Sequence, residues 1–210
     1  MATTKPAVKS NGVPSKREAI LEAAARVFFE SGYADASMDK IAREAGVSKQ
    51  TVYSHFGAKD ALFGAFIRGY CGRLLEPILA PGIRDKGPGA ALSGIARRYL
   101  DLILEPQAMA LFRTMLAESG RFPELAETFY RSGPLVAIDN LADYLAVLDD
   151  EGVLRVSEPR LAARLFFGML REDFYFRLLL GCGDQPEKNE VERTVRQAVD
   201  VFLAAYAGEG

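Results

Sequence analysis

Residues able to do covalent or metal chemistry are scarce in this chain. Its 210 residues hold one histidine, His55, and two cysteines, Cys71 and Cys182. Two cysteines cannot build the disulfide framework of a small secreted domain, so a reducing compartment is the default and both thiols read as structural. No two of these three residues lie at metal-ligand spacing, and no metal or cofactor is expected. No nucleophile motif and no phosphate-cradling glycine loop occurs, which argues against an enzyme. No apolar run approaches the roughly 18 residues of a membrane span. Met1 to Ser15 is polar and lacks the apolar stretch of a secretory signal, so a cytoplasmic location is expected. Strand patterns are missing too: period-2 alternation is rare, and no Asn-Gly or Asp-Gly turn joins two apolar runs. An excess of base is also absent. Lys and Arg number 26 against 28 Asp and Glu, the net charge is −2 and the isoelectric point is about 5.6. Taken over the whole chain, that balance argues against a general nucleic-acid binder.

What is present is helix. Hydrophobic residues make up 49% and charged residues 26%, a globular composition. Apolar residues recur at helical spacing throughout, giving an all-α fold of about nine helices. Residues 1–14 read as a flexible arm, with Pro6, Gly12 and Pro14. Ser15-Lys16-Arg17-Glu18 has the form of a capping box, and Ile20, Ala24, Val27 and Phe28 then share a face. Gly32 followed by Tyr33 fits a helix stop. Short helices follow from Ser37 to about Ala45 and from Ser48 to Phe56, and a longer one begins near Ala58. Pro77 to Gly89 is dense in proline and glycine and reads as a hinge-like connection. Further helices are expected near 90–104, 106–118, 123–150, 158–180 and 188–206, with Gly133-Pro134 kinking or breaking the third of these.

The informative stretch is Ser37 to Lys59. Two short helices flank Ala45-Gly46-Val47. A steep crossing of two short helices wants a glycine at positive φ in the turn and a small residue four before it, and Gly46 and Ala42 satisfy both. Ile41, Val47 and Val52 supply the apolar contact between the helices. This is the pattern of a helix-turn-helix, whose second helix enters the major groove with its N-terminal residues at base edges. Those residues are Ser48, Lys49, Gln50 and Thr51. Lysine matches guanine O6/N7, glutamine matches adenine N6/N7, and a threonine methyl can meet a thymine methyl. Tyr53 and His55 lie further along and are placed for phosphates. Ser37 and Lys59 sit at the starts of the neighbouring helices, where phosphate is favoured.

Arg17, Ile20, Ala24, Phe28, Gly32, Tyr33, Ile41-Ala42, Ala45-Gly46-Val47-Ser48, Thr51, Tyr53, His55-Phe56 and Lys59 together resemble the DNA-binding domain of the TetR family of bacterial transcriptional regulators, over about residues 16–65. The segment Ala117 to Leu125 resembles AcrR/AefR-type members. The resemblance implies a homodimer formed by the last two long helices, an effector pocket in the C-terminal domain, and DNA-contacting roles for Lys49, Gln50, Thr51, Tyr53, His55 and Lys59. Ala58 departs from the Ser or Asn often found there, so Gly57 or water must serve the exposed amides.

The expected organisation is an arm over 1–14, a three-helix DNA-binding domain over 15–62, and an effector-binding and dimerisation bundle over 63–210. Met109, Phe112, Met115, Phe166, Leu170 and Phe174 are the candidate pocket residues, by their aromatic and methionine character. Leu161, Leu165, Val195, Val199 and Phe202 are the candidate dimer seam. The functional expectation is a ligand-responsive repressor. It binds a palindromic double-stranded DNA operator as a homodimer and releases it when a small, largely apolar effector binds. The alternative is an architectural or constitutive regulator without effector, which a solid C-terminal core would support. The charge is consistent with either once it is divided along the chain. Residues 1–70 hold ten Lys and Arg against seven Asp and Glu, so the acidity belongs to the remainder.

Overall fold

The computed structural model describes residues 15–72 and 87–208, the side chains of 71 and 72 excepted. The arm over 1–14, most of the Pro77–Gly89 connection and the Cys71 thiol lie outside the described residues. Eleven helices appear among those described: α1 (Lys16–Asp35), α2 (Met38–Glu44), α3 (Lys49–Phe56), α4 (Lys59–Gly72), α5 (Pro88–Ile103), α6 (Pro106–Glu118), α7 (Pro123–Ser132), α8 (Pro134–Asp150), α9 (Pro159–Leu170), α10 (Asp173–Leu180) and α11 (Lys188–Ala205). No strand occurs among them. The count exceeds nine because two of the expected helices are each divided. The 123–150 helix breaks at Gly133-Pro134, as the missing proline N–H requires. The 158–180 helix breaks at Arg171, which leaves helical geometry with φ −87° and ψ 66°.

Local chemistry sets the boundaries. The Ser15 hydroxyl accepts from the Glu18 amide while the Glu18 carboxylate accepts from the Ser15 amide, so the capping box is complete. Ser37 and Ser48 cap α2 and α3 through the amides of Lys40 and Thr51. Five helices, α5 to α9, begin on a proline, whose ring pre-sets φ and whose absent N–H would be unpaired there anyway. Inside α1, Gly32 at φ 69° turns the chain so that Tyr33 swings back onto Phe28, with ring centroids 6.1 Å apart.

Two apolar cores result. The first joins α1 to α4 around Phe28, which meets Phe63 edge-on at 5.1 Å. Leu111 and Met115 of α6 and Leu125 of α7 belong to this same core. The second fills the bundle of α5, α8, α9, α10 and α11 around Phe166, Phe174 and Phe202. The division expected between residues 62 and 63 falls inside α4, whose Leu62, Phe63, Phe66 and Ile67 all serve the first core. Along the chain, α4 packs on α7 and α1 packs on α6. At the former contact Gly64 is close to its neighbours: a β-carbon there would stand 3.1 Å from Thr128 Cγ2 and 3.2 Å from Ser132 Oγ.

Candidate nucleic-acid interface

The turn between α2 and α3 is built as the spacing requires. Gly46 has φ 65°, and the Val47 amide donates to the Ala42 carbonyl at 3.0 Å. Ile41, Ala42 and Val52 are buried against α1. With Val52 committed inward, Lys49 and Gln50 at the start of α3 face solvent, as do Tyr53 and His55 further along. Ser48 is spent on capping and also pairs with the Thr51 hydroxyl at 2.8 Å, which fixes the first turn of the helix. The Lys49 ammonium reaches Asp39 of α2 at 2.8 Å and stands 5.9 Å from the centre of the Tyr53 ring. Asp39 raises the Lys49 pKa, first through the hydrogen bond and then through its charge. Both partners are exposed, so water screens the pair and it opens at small cost. Arg17, at the start of α1, lies 5.5 Å from the centre of the Phe56 ring and adds a second cation to this side of the head. Ser37 is exposed and caps α2.

Lys59 departs from expectation. Its ammonium donates to the carbonyls of Tyr33 at 2.9 Å, Ala36 at 3.0 Å and Ala34 at 3.4 Å, and it sits 4.2 Å from the centre of the Tyr33 ring. These are terminal carbonyls of α1, which lack partners within the helix. Burial lowers the Lys59 pKa, partly opposed by Asp35. Its charge is therefore committed to closing α1 against α4 rather than offered to a phosphate. Tyr33 adds a hydrogen bond from its hydroxyl to Asp60 in the first turn of α4. After Gly57 at φ 74°, the Ala58 amide donates to the Phe56 carbonyl, so a backbone partner serves where Ala58 offers no side chain.

A cavity of about 130 Å³, partly open to solvent, is formed among the helices. It lies where α4 to α10 meet. Ile67 and Tyr70 of α4, Phe112 of α6, Phe129 of α7, and Phe167 and Tyr175 beyond them form its walls. Of the six pocket residues expected from sequence, Phe112 alone lines it. Met109, Phe166, Leu170 and Phe174 are in the bundle core, and Met115 is in the core of the reading head. Adjacent helical residues point about 100° apart, so Phe167 faces the cavity because Phe166 faces the core.

The profile described as "Bacterial regulatory proteins, tetR family" matches residues 20–66, and that of the "AefR-like transcriptional repressor, C-terminal domain" matches residues 90–208. The chain belongs to the TetR family of transcriptional regulators. Among its relatives, the HTH-type transcriptional regulator RutR of Escherichia coli K12 is 32% identical over 162 residues, covering 72% of this chain and 68% of RutR. The flavonoid-responsive regulator FrrA is 34% identical; the match covers 93% of this chain and 98% of FrrA, with a TM-score of 0.74. A TetR-family regulator from Mesorhizobium loti is 30% identical over 91% of this chain and 96% of its own, with a TM-score of 0.73. This TetR-family protein is thus a DNA-binding transcriptional regulator with an N-terminal helix-turn-helix and a helical C-terminal domain.

The dimer seam expected of this TetR-family protein needs correction. Val195 and Phe202 are each 1% exposed, and Val199 is buried beside them. All three sit in the subunit's own core, where α11 packs on α5 and α9. An apolar helix face serves one partner at a time, and here it closes the bundle. Leu161 and Leu165 of α9 do face outward, Leu165 at 52% exposure, and Val201 of α11 joins them at 46%. Phe176 and Leu180 of α10 are exposed as well. No cluster of His, Cys, Asp and Glu able to hold a metal occurs among the described residues. No described helix is long and apolar enough to cross a membrane.

Proposed function

We propose that this protein is a cytoplasmic, ligand-responsive repressor. Two copies meet through the outward faces of α9, α10 and α11. They present their α3 helices about one DNA turn apart, roughly 34 Å, to a palindromic double-stranded operator. Lys49, Gln50 and Thr51 supply the base-reading end, whose first turn Ser48 fixes, while Tyr53, His55 and the helix start at Ser37 lie toward phosphates and Lys59 acts as a positioning residue. A small, largely apolar effector enters the cavity and releases the operator.

The observation that carries this reading is the position of α4. Its Ile67 and Tyr70 line the cavity, while its Leu62, Phe63 and Phe66 sit in the core of the reading head. A ligand that fits one tilt of α4 better than another shifts the head by that difference in affinity, and by no more. The hollow among α4 to α10 favours this over a regulator without effector. FrrA, a flavonoid-responsive relative, makes an aromatic effector a reasonable starting choice.

Selection of bound DNA fragments with the purified protein, followed by operator release in a compound screen, tests the proposal. Enrichment of a palindrome is expected. Gln50→Ala should reduce discrimination at one position of each half-site by about 1–3 kcal/mol. Failure to enrich any sequence, or unchanged selectivity in both Gln50→Ala and Lys49→Ala, refutes the base-reading assignment.

A further inference from the structure

The cavity walls are aromatic but not uncharged. Tyr99 and Phe167 meet at a 40° tilt with ring centroids 4.5 Å apart on one side, and Phe112 contacts Phe129 at 5.9 Å on another. Arg171 is the one charged side chain among the described lining residues. It sits at the break between α9 and α10, where its backbone leaves the helix. The break is held from both sides. The next residue, Glu172, accepts a hydrogen bond from the Thr194 hydroxyl of α11 at 2.7 Å. At the far end of α10, the Arg113 guanidinium of α6 donates to the carbonyls of Leu178 and Leu179. Tyr175, one turn beyond Arg171, lines the same cavity. Burial pushes its phenol pKa up, opposed by the Arg171 charge, so at neutral pH it keeps its proton and is available as a donor.

We propose that the effector is a planar aromatic acid whose ring lies among these aromatic walls and whose anionic group pairs with the Arg171 guanidinium. The inference rests on the effector reading of the cavity given above. A cavity of about 130 Å³ is close to the roughly 150 Å³ that accommodates one benzene ring. One ring therefore occupies the cavity, and the acid group reaches its open side, where the exposed Arg171 stands. Guanidinium and carboxylate match in a bidentate geometry, and the Tyr175 hydroxyl adds a further donor. A cationic ligand meets repulsion from Arg171, and a neutral one forgoes the pair.

The test uses the full-length protein with benzoate, trans-cinnamate and 2-naphthoate, each beside its primary amide. Calorimetry gives affinity, and operator release is read on the same samples. At least one acid is expected to bind ten- to a hundredfold more tightly than its amide. Arg171→Gln should erase that preference, chiefly by lowering acid affinity, while operator binding in the absence of ligand persists. Because Arg171 is exposed, the variant is expected to fold. Equal affinity for every acid and its amide, a preference that survives Arg171→Gln, or no binding by any of the three acids overturns the proposal. Operator release by amides alone also overturns it, while leaving the effector reading intact. Arg171-dependent binding of an acid without any change in operator affinity upholds the ligand class and defeats the release mechanism instead.

Discussion

Replacing Lys59 with methionine separates a structural role from a DNA-contacting one. Methionine keeps most of the apolar stem and removes the ammonium, so the loss reports on the carbonyls of Tyr33, Ala34 and Ala36. A hydrogen bond from a charged donor contributes about 1.5–3 kcal/mol when buried. Two of the three contacts are short, at 2.9 and 3.0 Å, and Lys59 is half-buried, so water recovers part of each. Removing the charge also relieves the desolvation that lowers its pKa. The remainder is about 2 kcal/mol of stability. With a urea dependence of about 2–3 kcal/mol per molar, the unfolding midpoint should fall by about 0.7–1 M. Circular dichroism at fixed protein concentration measures this, because association between copies makes midpoints depend on concentration. The second readout is operator affinity against salt. A lysine that neutralises a phosphate contributes about 0.9 to the slope of log K on log salt, whereas Lys59→Met should leave the slope nearly unchanged. An unaltered urea midpoint together with a slope reduced by about 0.9 refutes the clamp.

Gly64→Ala should destabilise by about 1 kcal/mol, because the new methyl meets Thr128 and Ser132 across the α4–α7 contact. Gly69→Ala, in open space on the same helix, should instead stabilise by roughly 0.5–1 kcal/mol, so thermal midpoints moving in the same direction argue against the close approach. Leu165→Asp should yield folded monomers in sedimentation, while Val195→Asp should fail to fold; folded Val195→Asp monomers would place α11 in the seam after all. The Glu18 carboxylate is held below the ordinary glutamate pKa by the Ser15 amide and then by the Ser15 hydroxyl. Its contribution is therefore complete above the unfolded value and lost as pH falls through the lowered folded one. Glu18→Gln should unfold earlier than the parent at pH 7, and the difference should close as pH falls through the lowered folded value; a difference that stays constant on acidification contradicts the capping box.

The reading head was legible because its chemistry is local. Ser15, Ser37 and Ser48 mark three helix starts, and Gly46 marks a backbone geometry that few other residues adopt. Pro88, Pro123 and Pro159 at first helical positions carry an equally local signal for the bundle. What sequence could not give is the choice between equivalent uses of one side chain. Phe166 and Phe167 have the same character, and only packing decides which meets the cavity. The apolar face of α11 fits an inner core and a subunit seam equally well. Lys59 matches a phosphate-binding position by spacing, yet the fold brings three carbonyls within its reach. Nothing local to Arg171 announces that a helix breaks there and sets a charge beside an aromatic hollow.

The core of the reading head is completed by Leu111, Met115 and Leu125, residues that arrive some fifty positions later in the chain. The head is consequently not a transplantable cassette. A fragment ending after α4 would display the apolar surface those three residues cover, and a chimera that pairs this head with another subunit's body must carry α6 and α7 or re-cut their contact faces. For the same reason, substitutions at the exposed Lys49 or Gln50 are free to vary independently of the body, while those at Phe63 or Phe66 are bound to co-vary with it.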